Sequence, residues 1–95
     1  MKDLEKLKIK MSKEINNFIT GITPIFESYK TLNELKAGKN GIDRAYEGGR
    51  AAITNSIYDL TEDQKNELYY FYDNEFSAVF DLARHAEFNI NQGIQ

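Results

Sequence analysis

Residues 60–90 read LTEDQKNELYYFYDNEFSAVFDLARHAEFNI, and no Pro or Gly stands in the way of a helix until Gly93. Thr61 offers a hydroxyl to backbone N–H groups that lack helical partners, and Gln64 three residues later completes a capping box. Glu62 and Asp63 place negative charge in the first turn, where it meets the positive end of the helix dipole. At ~100° per residue, Leu68, Tyr72, Phe76, Val79, Leu82, Ala83, Ala86 and Ile90 share one face. The stretch predicts a long helix over about 62–91 with that stripe in the core. Glu75 projects onto the same face, so it must sit at a rim, pair with a cation or take up a proton.

The first third of the chain shows a second long pattern. Leu4, Met11, Phe18, Ile25 and Leu32 recur every seven residues, with Ile15, Ile22 and Tyr29 on an offset track. Leu7, Ile19 and Phe26 widen the stripe. This predicts a continuous helical seam over about 3–37, buried against the third helix or a second chain. Gly21 and Pro24 interrupt it: Pro24 lacks an N–H and crowds the carbonyl of Thr20. Either the helix kinks there or it splits in two, and the unbroken heptad phase favours the kink.

Gly38, Lys39, Asn40 and Gly41 predict a break, with Asp43 capping a middle helix over about 43–58. That helix would pack through Tyr46, Gly49, Ile53 and Ile57. The adjacent Gly48 and Gly49 weaken a helix by roughly 1 kcal/mol each relative to Ala, so they predict close approach by a neighbour. GGRAA follows no strand and lacks a GK[ST] ending, so it is not a phosphate loop. No segment alternates with period two for long, and no repeat or low-complexity tract is present. The tail after Ile90 is expected to fray. The expected fold is all-α: one helical domain over 1–95, a small antiparallel bundle of three helices, or four if the first is split at Gly21–Pro24. The first and last helices, similar in length, are expected to pair as a hairpin.

Composition narrows the function. Ninety-five residues at 41% hydrophobic content suit one small core. The absence of Cys removes disulfides, thiol nucleophiles and Cys metal sites. No signal peptide and no long apolar run is visible, so a soluble, cytoplasmic protein is expected. Residues 1–42 hold eight Lys against five acids, a balance of +3, while residues 43–95 hold four basic residues against ten acids, a balance of −6. The acidic half would repel nucleic acid, and the two halves can attract each other within one chain or between two; the short middle helix would leave part of the long pair uncovered, and a homodimer is the expected cover.

His85, the one His, lacks partners at metal-ligand spacing, and no Ser stands in a nucleophile elbow. No calcium loop is present. Neither catalytic residues nor cofactor or metal ligands are expected, and enzyme activity is not. What remains is the aromatic surface of the last helix outside its core stripe: Tyr69, Tyr70, Asp73, Phe80 and Asp81. Aromatics anchor interfaces, and carboxylates at their rim steer a basic partner. The expected function is a non-enzymatic module that binds a protein with a basic surface and inhibits or regulates it. Small size, Lys-, Asn- and Ile-rich usage and lack of chemistry suggest a phage, plasmid or bacterial origin. Two other classes stay open: a toxin-neutralising bundle of the bacteriocin-immunity type, on size alone, and a structural subunit acting as a homo-oligomer. The chain has no Trp, so the turn motif of Trp-x-Gly hairpin secretion substrates is absent.

Overall fold

A computed structural model describes residues 2–56 and 59–93. Among them three helices form and no strand: α1 (Lys2–Glu27), α2 (Leu32–Thr54) and α3 (Glu62–Asn91). The α3 helix matches its predicted span, and both halves of its capping box form: the Thr61 hydroxyl accepts from the Gln64 N–H, and the Gln64 side chain accepts from the Thr61 N–H. Leu68, Tyr72, Phe76, Val79, Ala83 and Ala86 are buried, with Leu82 and Ile90 packed half-buried beside them. Glu75 is half-buried, and the buried set among the described residues contains no charged side chain.

The first two helices divide elsewhere than the glycines suggested. α1 runs through Gly21 and Pro24 unsplit and ends at Glu27, within a turn of the proline, instead of continuing to residue 37. The chain then turns over residues 28–31, where the Ser28 hydroxyl donates to the Ile25 carbonyl at 2.6 Å. A second capping box restarts it. The Thr31 hydroxyl accepts from the Glu34 N–H, and the Glu34 carboxylate accepts from the N–H groups of Thr31 and Lys30. These bonds to the ionised form hold the Glu34 carboxyl below its ordinary value. The heptad phase survives this turn by coincidence of its length, and the two seam residues beside it, Ile25 and Leu32, are half exposed.

Gly38 to Gly41 therefore lie inside α2, and Asp43 is an exposed residue of the helix, not its cap. Two glycines cost a helix roughly 2 kcal/mol. Burial of Leu35, Ile42 and Ile53 along one face of α2 outweighs that, at ~1.5–3 kcal/mol for each large apolar side chain. Ile57 and Tyr58, placed by the sequence in the middle helix, fall outside the described residues, as do Ile94 and Gln95 of the tail.

α3 packs against both α1 and α2, while those two scarcely touch each other. Contacts climb together along α1 and α3: Lys8 meets Glu67, Phe18 stacks on Phe76, and Phe26 shares a cleft with Ala86. Along α2 they descend as α3 climbs: Thr54 meets Tyr69, Arg50 meets Asp73, and Lys39 meets Glu87. So α1 and α3 lie side by side in the same direction, not as the expected hairpin. The two short connections require this, because each reverses the chain once. The bundle is 49 Å long and 18 by 16 Å across.

Candidate interaction surfaces

The five residues singled out on the last helix separate into two groups. Tyr69, Asp73 and Phe80 face α2 and are engaged there. The Asp73 carboxylate accepts from Arg50 at 3.0 and 3.1 Å and from the Tyr46 hydroxyl at 2.6 Å. That last bond, with Asp73 beside it, raises the Tyr46 phenol above its usual value. The Arg50 guanidinium lies 4.4 Å from the centre of the Tyr69 ring, a cation–π contact, and the Tyr69 and Thr54 hydroxyls hydrogen-bond. Phe80 packs edge-on against Tyr46 and Phe76, with ring centres 5.6 and 5.2 Å away. These three side chains join helices, so they are not a free docking surface.

Tyr70 and Asp81 do point outward. Tyr70 is 73% exposed, and Asp81 pairs with Arg84 one turn along its own helix. Sequence reasoning missed Phe88, which is 58% exposed. It follows Tyr70 by 18 residues, five turns at ~3.6 residues each, so it has the same bearing. That spacing was readable. Asp63, Asn74 and Ser77 complete this exposed strip. His85 is also exposed, and among the described residues no three His, Asp or Glu side chains gather as a metal site.

Opposite that strip lies a second feature. Because α1 and α2 both rest on α3 but not on each other, a channel stays open between them. Leu7, Met11 and Phe18 form one wall, and Ala45, Gly48 and Ala52 form the other. Tyr72 and Phe76 of α3 make its floor. The two adjacent glycines of α2 differ here. A Cβ at Gly49 would strike the Tyr72 ring and hydroxyl, whereas one at Gly48 or Gly41 would meet nothing. No helix of the described residues is long and apolar enough to cross a membrane. Comparison with family models, curated proteins and solved structures finds nothing that matches this chain.

Proposed function

We propose that this chain is a non-enzymatic, cytoplasmic module, an antiparallel three-helix bundle that binds a protein with a basic surface and thereby regulates it. The observation that carries the reading is Tyr70, a large aromatic 73% exposed on the outer strip of α3. Asp63 and Asp81 flank it, and Phe88 continues it. Seven of the nine charged residues in α3 are acidic, giving that helix a balance of −5. An exposed aromatic anchor within a negative field suits a basic partner, which would be steered in by charge and held by the rings.

The test is capture of partners from a lysate of the source cells by wild type and by a Tyr70→Ala/Asp81→Lys variant. Both sites face solvent, so the variant should fold. A specific partner should be held by wild type, weakened as salt rises, and lost by the variant. Equal capture by both proteins would remove this strip from the account.

A further inference from the structure

The α1/α2 channel lies on the side of the bundle away from Tyr70, and it has an unbalanced cross-section. The α1 wall carries large apolar side chains, Met11 and Phe18, with the exposed Lys10–Glu14 pair at its rim, and the α2 wall carries Ala45, Gly48 and Ala52. Ile25, 50% exposed, extends apolar surface beyond its far end on the α1 side. Gly41 and Gly48 have no packing reason within one chain, since a side chain at either would meet open space. Helix-interior glycines are costly, and their usual return is the close approach of another backbone.

We infer that a second copy of this chain covers the channel, with the α1 edge of each copy laid over the small-residue strip of α2 in the other. A two-fold axis running along the channel exchanges its walls and keeps height along the bundle, so large residues meet small ones twice. Phe18 and Tyr46 both contact the Phe76 ring, which places them at one height. Asn17 of one copy therefore comes level with Gly48 of the other to within about a turn. The face is large enough. From Leu7 to Ile25 it runs ~27 Å at ~1.5 Å per residue, and the bundle is 18 Å across. That footprint is roughly 500 Å² per copy and roughly 1,000 Å² in all, the least that a specific interface needs. The pairing leaves both α3 outer strips exposed, so it stands or falls apart from the Tyr70 surface.

Sedimentation equilibrium over micromolar to hundreds of micromolar protein should show a monomer–dimer equilibrium. Gly48→Glu replaces a glycine with a better helix former in open space, so the helical circular dichroism should be kept while dimerisation weakens by an order of magnitude or more. Gly41→Glu, two turns away on the same side of α2, should do the same, and Tyr70→Ala should leave the equilibrium unchanged. The absence of native cysteine allows a geometric check. Under oxidation, a mixture of Asn17→Cys and Gly48→Cys proteins should give the mixed disulfide dimer in preference to either symmetric one. A wild type that stays monomeric throughout, well-folded Gly48→Glu and Gly41→Glu variants that both dimerise as before, or cross-links only between like cysteines would each overturn the pairing.

Discussion

Tyr72 shows how much one residue carries when its surroundings are arranged for it. Its ring is buried and stacks on Tyr46, and its hydroxyl is shared between the carbonyls of Ala45 and Tyr46, at 3.2 and 3.1 Å. The hydroxyl reaches α2 because Gly49 has no side chain in its path. Gly49→Ala should therefore destabilise the fold despite the better helix propensity of Ala, and thermal melting would show it; an unchanged or higher melting temperature would contradict this contact. Burial, reinforced by Tyr46 and Asp73, pushes the Tyr72 phenol up from 10.0 to about 12. The fold thus favours the protonated phenol. Its contribution is fully present below pH 10 and is lost as pH rises from there through about 12. Wild type should lose stability over that range more steeply than Tyr72→Phe, which lacks the titrating group and should cost ~0.5–1.5 kcal/mol at neutral pH for the lost hydrogen bonds. Parallel curves for the two proteins would refute the assignment.

At the scale of elements, α2 is where sequence and structure diverge, and its glycines explain the divergence. Gly48→Ala and Gly41→Ala should each stabilise the monomer by ~0.5–1 kcal/mol, because the added methyl enters open space and a flexible residue leaves the unfolded chain. Denaturant midpoints would test this, and a loss at either site would mean that the glycine is used within one chain. Gly38 is a separate case, since the Tyr29 ring lies against it. The same four-residue stretch that reads as a helix breaker is thus tolerated because Leu35 and Ile42 anchor α2 on both sides of it. The true boundary was legible in T-L-N-E at Thr31–Glu34, the same kind of capping box that marked α3 correctly. The heptad seam hid it, because a four-residue turn kept the phase of Ile25 and Leu32. The outer strip of α3 was half legible. Periodicity places Tyr70 and Asp81 outward, but it does not show that Asp73 and Tyr69 meet Arg50, because the pattern of one helix does not say which face of which neighbour packs beside it. The direction of α1 was lost for a related reason: equal helix lengths say nothing about which neighbour the chain turns back upon.

For the whole molecule, α3 is the shared spine, since α1 and α2 are held together almost solely through it. Phe76 sits at the meeting point: 2% exposed, stacked on Phe18 from α1 and tilted against Tyr46 from α2. Phe76→Ala should cost ~3–5 kcal/mol, the range for a buried Phe. Phe18→Ala should cost less, because Phe18 is only half-buried and its removal enlarges a channel already open to solvent. Hydrogen exchange tests the arrangement directly. Opening that frees α1 or α2 alone leaves the other on α3, so the middle of α3 should exchange only with global unfolding, while α1 and α2 should also show cheaper, partial openings. In Phe76→Ala, protection of all three helices should fall together. In Phe18→Ala, the loss should be greatest in α1. If α1 or α2 amides instead proved the slowest to exchange, α3 would not be the element on which the other two depend.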